Sequence, residues 1–472
     1  MKSYKKEIFL ILVILGITLT LPTFIYINTN IFTENIEYTN SPNEIIKIAK
    51  VSGKIHISNN WSDAKIAGIC TGSGNFSDPY IIEDLIIDAR GSGSGILIES
   101  SIVYFIIENC TIINSRLGVP PSYGAGISLD GVGNGTIKNN NISLNDIGIL
   151  VNGNNNSISQ NHVFNNLGGI YLGDYGFNEI FENNISHNII GFWGLFFEGG
   201  NFSFNHVREN QQYGVILYYS WNSSIIGNSI ISNNGTGLLL LEGMYANISK
   251  NRIINNSNYG ILLKFNLPWS GDPIPNPSFT YISENVVSKN AYGIMLNLTE
   301  ETSIHNNTIN QNEYTGIKLH FSNYNNITDN RLKNNKLNGI HLNYSKFNII
   351  SGNNISGNYK GIKLNQSDLN EIIQNTINNN YFGIHLTTSH KNDIINNTLH
   401  YNGVCIFETD DCIRNYYENN DCIETGDNGG LMLPILITVS TSLVGLTIII
   451  ILYRRYRRKQ DLYKKSVLKN LR

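Results

Sequence analysis

Apolar residues along this chain come in short beats rather than long stripes. Between Gly316 and Asn402 the beats are almost periodic: Gly-Ile-x-Leu, a Ser three residues on, an Asn three after that, then two further apolar beats each closed by Asn. Gly361, Ile362, Leu364, Ser367, Asn370, Ile372, Asn375, Ile377 and Asn380 lead to Gly383. Ile384, Leu386, Ser389, Asn392, Ile394, Asn397, Leu399 and Asn402 then refill the same slots. A unit of about 22 residues lies in the range of stacked repeats. Each beat is two or three residues long, rich in Ile, and alternates with polar residues at period two, which predicts strands. No window holds helical spacing for three turns, and Asn and Gly at this density oppose helix. Three short strands per unit close a triangular coil. Stacked coils place each strand parallel to its copy, about 4.8 Å away, with Ile and Leu in interior columns.

Read with that ruler, repeats start at Gly95, Gly126, Gly148, Gly169, Gly194, Gly214, Gly237, Gly260, Gly293, Gly316, Gly339, Gly361, Gly383 and Gly403. Two intervals carry Pro-rich inserts, at Pro120-Pro121 and from Pro268 to Pro277. They hold six of the ten prolines, as expected if the coils are strands that need every backbone donor. Asn suits the corners, because it tolerates left-handed backbone and equivalent amides one coil apart can hydrogen-bond in ladders. Asn330, Asn353, Asn375 and Asn397 form one such column. A leucine-rich repeat shares the period but needs Leu at several fixed positions and a helical outer half, which three Ile beats per unit do not supply.

The unit Gly-Ile-x-Leu-x-x-Ser-x-x-Asn-x-Ile-x-x-Asn-x-Ile-x-x-Asn resembles the repeat of right-handed parallel β-helix proteins. It is most similar to the NosD-type branch, described as carbohydrate-binding and sugar-hydrolysis repeats. The resemblance covers about 95–410, and Ser77-Asp78-Pro79-Tyr80-Ile81-Ile82-Glu83-Asp84-Leu85 resembles caps of archaeal membrane-anchored surface members. The expected fold is all-β, a right-handed parallel β-helix of about 14 coils. The expected plan is a signal peptide or signal anchor (1–30), a spacer and N-terminal cap (31–94), the β-helix (95–410), a C-terminal cap and linker (411–430), a transmembrane helix (431–453) and a basic tail (454–472). The scaffold hosts lyases, hydrolases, adhesins and passive rods, so the repeat alone assigns no activity.

The two ends carry their own signals. Lys2, Lys5 and Lys6 precede twenty largely apolar residues from Ile8 to Ile27, which reads as a secretory signal or anchor. Leu431 to Tyr453 is an uncharged span long enough to cross a bilayer, and the basic cluster Arg454 to Lys459 after it fits the positive-inside rule. Both place 30–430 outside a cell membrane, held by a single C-terminal pass. The net charge of −3 hides this asymmetry: without the basic ends the body carries 21 bases against 34 acids. An acidic body excludes nucleic acid as its partner. Of five cysteines, Cys412 and Cys422 lie ten apart beyond the last repeat, where a disulfide staples the end; Cys70, Cys110 and Cys405 stay unassigned. About nineteen Asn-x-Ser/Thr sequons, among them Asn141, Asn184, Asn247, Asn326 and Asn354, allow glycosylation.

Candidate chemistry sits at the x of Gly-Ile-x-Leu, which faces outward if Ile and Leu face in. Down the coils it reads Ser128, Leu150, Tyr171, Phe196, Ile216, Leu239, Leu262, Met295, Lys318, His341, Lys363, His385 and Cys405. The middle coils present an apolar, aromatic strip with Trp193, Phe197, Tyr218, Tyr219 and Trp221 nearby. It is a stacking platform for sugars, unless the insert at 264–279 covers it. The later coils alternate Lys with His, beside His320. Fixed charges about 10 Å apart repel by only about half a kcal/mol in water. Such a column binds acidic polysaccharide and is expected to tighten as His protonates between about pH 8 and 5.5.

The leading reading is a surface protein that binds glycans or neighbouring surface glycoproteins. The rivals are a polysaccharide lyase or glycoside hydrolase and a passive envelope spacer. Asp174, Glu198 and Glu242 are the acids placed for glycosidic hydrolysis, which uses two carboxylates. For a lyase, the resemblance implies calcium-binding acids with a base, and Arg208 and Arg252 are the few cations available. No metal and no cofactor is expected, because ten scattered His and four Met form no soft-ligand cluster for the copper role of the NosD type.

Overall fold

The computed structural model describes residues 49–116, 124–173, 176–265 and 276–425. Short strands wind through three parallel sheets in rotation, with one extra two-stranded pair of Asn276–Pro277 and Thr299–Glu300. The first sheet has 16 strands, from Lys50–Ser52 to Asp421–Glu424. The second has 15, from Ile55–Ser58 to Val404–Glu408, and the third has 15, from Tyr80–Glu83 to Tyr416–Glu418. This is the parallel β-helix; most strands of the first and third sheets are three residues long, and those of the second sheet, such as Thr315–His320, extend past the Ile-x-Leu beat at both ends. Pairing starts at Lys50, within the stretch read as a cap, and runs to Glu424. The one helix among the described residues, Trp61–Ile66, is inserted there. Its Trp61 stacks on Tyr80 at 4.9 Å and donates from Nε1 to Ser101 Oγ at 2.8 Å.

Inward positions form one continuous core in which Ile317, Ile340, Ile362 and Ile384 are fully buried, as are Leu319, Leu342, Leu364 and Leu386 above their neighbours. Each such side chain contributes roughly 1.5–3 kcal/mol by leaving water, offset by the conformational entropy of fixing the chain.

The repeat glycine is required by space rather than by backbone angle. A Cβ on Gly316 would lie 2.7 Å from the Gly339 carbonyl oxygen, 2.9 Å from Asn335 Nδ2 and 2.9 Å from Leu332 Cδ2. The chain bends inward at this corner, and any side chain would enter the occupied core.

The asparagine columns are ladders, and the corner roles are divided between two residues. Asn330 Nδ2 donates to Asn353 Oδ1 at 3.1 Å, Asn353 to Asn375 at 2.9 Å, and Asn375 to Asn397 at 3.0 Å. Each amide also caps backbone carbonyls, Asn353 Nδ2 reaching Ile327 O at 2.8 Å and Ser351 O at 3.0 Å. The left-handed backbone sits one residue earlier, at Asp329 (φ 54), Gln374 (φ 54) and Asn396 (φ 56). Buried corners thus keep their polar groups satisfied, as burial demands.

Two repeat starts differ from the sequence reading. Register pairs Phe192 with Val215 and Gly194 with Leu217, so the coil begins at Gly191 and Gly194 occupies an inward Leu slot. Phe197 fills the space left there: a Cβ on Gly194 would meet its Cβ at 3.0 Å. In the last coil Ile406 pairs with Ile384, and the carbonyl that crowds Gly383 belongs to Cys405 rather than to Gly403.

The disulfide also differs. Cys405 bonds Cys422, not Cys412. Cys422 pairs with Leu399 in an inward column, and Cys405 is buried at the inward corner, so the two meet across the open end of the core. Cys412 continues the serine column instead, its Sγ accepting from Ser389 N at 3.3 Å.

Among the described residues no helix is long and apolar enough to cross a membrane. The apolar spans at 8–27 and 431–453 and the basic tail lie outside the described residues.

Candidate ligand-binding face

The outer face of the second sheet carries the x column, in the order Leu150, Tyr171, Trp193, Ile216, Leu239, Leu262, Met295, Lys318, His341, Lys363, His385 and Phe407. Trp193 and Phe407 stand where the sequence reading has Phe196 and Cys405. Both differences follow from the shifted coil starts.

The middle of this face is not an open platform. Tyr171 is 5% exposed and Trp193 6%, and with Leu150, Ile190 and Ile216 they form a second apolar cluster outside the central core. Tyr171 meets the Trp193 ring edge-on at 5.3 Å and lies over Gly168, where a Cβ would come within 2.4 Å of it. Phe197 is an interior residue, 1% exposed, packed on Phe192. Tyr218 is half-buried and stacked on Tyr219 at 4.2 Å, and its hydroxyl is held above the ordinary range by burial and the Tyr219 hydrogen bond. Of the aromatic candidates, Trp221 is the most exposed, at 47%. The strip that the alternation marks as outward is therefore packed, because adjoining outward columns bring apolar side chains together.

The later coils differ. Lys318, His341, Lys363 and His385 follow one another in register and are half-buried. Lys360 stands beside them, in the column of Asn338 and Phe382. Two lysines on the adjoining corners are ion-paired, Lys336 with Glu313 at 3.0 Å and Lys346 with Asp368 at 3.1 Å. Lys318, Lys360 and Lys363 have no carboxylate partner among the described residues. Lys318 lies over the Tyr292 ring at 5.6 Å, and Lys360 over Tyr359 and Phe382 at 5.8 Å each.

Burial and like charge act together on this patch. Burial, then Lys363, lower Lys360 to about 8 and also depress Lys318. Burial, then the surrounding Lys363, Lys318, Lys360 and His320, push His341 down to about 3; burial and the lysines take His385 to about 4. Both imidazoles are therefore neutral through the range in which the sequence reading has them charging. The column is a set of fixed cations separated by neutral rings. His341 Nε2 and His385 Nδ1 are buried without a hydrogen-bond partner.

The candidate acids are not brought together. Asp174 lies outside the described residues. Glu198 is exposed on a corner two coils from half-buried Glu242, with Tyr219 on the coil between them. Two ladder steps are about 10 Å along the axis, beyond the roughly 6.5–9.5 Å between paired carboxyl groups of inverting glycosidases. Arg208 and Arg252 stand on the first sheet, away from that corner. Of the named sequon residues, Asn141, Asn247, Asn326 and Asn354 are exposed and Asn184 is half-buried.

A family model described as periplasmic copper-binding protein (NosD) matches residues 107–266 and 274–431, two thirds of the chain. The chain belongs to the NosD family. No curated protein sequence matches it. Among solved structures it is similar to the periplasmic alginate epimerase AlgG, at 13% identity over 73% of this chain and 85% of that one, with a TM-score of 0.40. It is also similar to the Siphovirus 9NA tailspike receptor binding domain, at 10% identity, 79% and 77% coverage and a TM-score of 0.45. A third is the Azotobacter vinelandii mannuronan C-5 epimerase AlgE6 A-module, at 11% identity, 74% and 89% coverage and a TM-score of 0.34. Likenesses at these values carry no argument about activity.

The described residues of this NosD-family chain do not fit the copper of the family's description. Their one grouping of three ligand-type side chains is Cys405, Cys422 and Glu424, and its two sulfurs are bonded to each other. His341 and His385 are two coils apart with Lys363 between them, about 10 Å along the axis and too far to share an ion.

Proposed function

We propose that this NosD-family β-helix binds acidic polysaccharide along the outer face of its second sheet, between Lys318 and His385. One observation carries the reading: three half-buried lysines share that face without a carboxylate partner among the described residues, and burial, then the charge of Lys363, depresses the basicity of Lys318 and Lys360. Lys336 and Lys346 on the adjoining corners, by contrast, each hold a carboxylate. Cations held close in partial burial are stabilised when a polyanion joins them. Lys318 and Lys363 are two coils apart, about 10 Å, a spacing on the scale of a disaccharide, so carboxylates along an extended chain meet successive lysines. The apolar spans at 8–27 and 431–453 support a placement outside the cell, held at the membrane. Surface glycoproteins with acidic glycans are partners of the same chemistry.

The test is titration of the full-length chain with polygalacturonate and with uncharged dextran. The expected result is salt-sensitive binding of the first alone, lost in a Lys318→Glu/Lys363→Glu double variant. Equal binding by that variant sinks the proposal.

A further inference from the structure

Where the second sheet turns into the third, a column of corner residues is held in the left-handed region: Phe321 (φ 46), Tyr344 (φ 52), Gln366 (φ 48) and Thr388 (φ 46). Their backbones are successive rungs, Phe321 N donating to Asn343 O, Tyr344 N to Asn365 O and Gln366 N to Thr387 O. Bulky residues in this region are strained by roughly 1–2 kcal/mol, which aims their side chains out of the corner. Phe321 and Tyr344 stack at 4.8 Å with 11° between their planes. Similar stacks brace other corners, as at Tyr324 with Phe347 and Tyr359 with Tyr381. Here the stack stops. The next two rungs carry Gln366 and Thr388 instead of rings, and the step down leaves a cavity of about 370 Å³ beside Tyr344, which is 40% exposed.

The walls of that cavity are apolar for the larger part, and the polar groups set among them include a charge-balanced pair. Lys346 and Asp368 form an ion pair at 3.1 Å, and Asp368 Oδ1 also accepts from His390 N at 3.0 Å. His390 Nδ1 accepts from Ile413 N at 3.2 Å, which leaves Nε2 as the donating nitrogen. The Thr388 hydroxyl is committed to Asp411 at 2.6 Å. A free ring face, an amide, an ammonium, a carboxylate and an imidazole N–H therefore line one concave step.

We infer that this step is a second saccharide site, separate from the lysine face, which takes an uncharged pyranose stacked on Tyr344. The chemistry is specific in two respects. A pyranose presents an apolar C–H face to an aromatic ring while its equatorial hydroxyls, each both donor and acceptor, reach polar groups around the rim. The Lys346–Asp368 pair cancels its own charge, so the site has no net preference for an anion. The inference stands on this cavity alone and does not depend on polyanion binding.

The experiment is saturation-transfer NMR of the full-length chain with three neutral probes, the β-linked tetrasaccharides of glucose, mannose and galactose. At least one is expected to show saturation strongest on the C–H protons of one ring face and insensitive to salt. Stacking on one ring is worth about tenfold in affinity, so Tyr344→Ala is expected to lose about that much, Tyr344→Phe to keep most of it, and Gln366→Ala to fall between. Lys318→Glu/Lys363→Glu is expected to bind the neutral probe as the parent does. Tyr344 lies outside the core, so a loss in a variant with unchanged melting reports the site. Unchanged binding in Tyr344→Ala, or loss of binding in high salt, overturns the inference, as does the absence of saturation with all three probes.

Discussion

The same sheet, in the same register, presents two different outer faces. At Tyr171 and Trp193 the outward column is packed into an apolar cluster; at Lys318 to His385 it carries half-buried cations. Behind both runs one continuous apolar interior, Ile and Leu behind the cations and with Phe192 and Phe197 added behind Trp193. The inward columns and asparagine ladders hold the solenoid, which leaves the outward column free to vary coil by coil. Packing uses that freedom in one half, and the charged surface uses it in the other.

The largest expected effect falls on what the halves share. Asn353→Ala removes a side chain with five hydrogen bonds and takes the acceptor from buried Asn330 N and Nδ2 and a donor from Ile327 O. It should cost about 3–5 kcal/mol, read as a fall in the urea midpoint. A change under about 1 kcal/mol would mean that the ladders are incidental.

Next come substitutions on the two faces. Trp193→Ala is expected to destabilise by about 3 kcal/mol, whereas Lys363→Ala should be neutral or slightly stabilising, since it relieves repulsion on Lys360 and Lys318. If both cost the same, the comparison collapses. Reducing Cys405–Cys422, which closes 17 residues of sequence separation, should cost about 3 kcal/mol at the final coil. Hydrogen exchange would show this as fraying confined to the end, given the near-neighbour character of solenoids.

The smallest effects are those of pH, and they sharpen the charged half. Polyuronate binding should stay flat from about pH 8 to about 5.5, because His341 and His385 remain neutral there, and weaken above about 8 as Lys360 loses its proton. Stability has its own sign. The unfolded chain takes up protons near the ordinary imidazole value of 6.5, the folded His341 only at about 3. Stability is therefore fully present above 6.5 and declines as pH falls toward 3. Binding that rises steeply between about 8 and 5.5 would show that the imidazoles do charge.

Much of this was legible from spacing alone. A unit of about 22 residues with three Ile beats admits few ways to bury them, so the β-helix, the inward columns and the ladder at Asn330, Asn353, Asn375 and Asn397 follow from the repeat. Where the repeat is broken the ruler slips. Gly194 mimics a repeat start while filling a Leu slot, and only the register of Phe192 with Val215 shows that Phe197 must turn inward. The corner site at Tyr344 gave no sequence signal, since its residues come from four coils and its cavity exists because rings stop at Gln366.

The sequence by itself determined the coil, because hydrophobic alternation and buried amides act over a few residues and recur in coil after coil. Only the tertiary structure decided which outward residues are free, which cysteines meet and which charges share a face. Those depend on neighbours one and two coils away, where a lysine's basicity or a tyrosine's exposure is set by side chains about 20 or 40 residues distant in the chain.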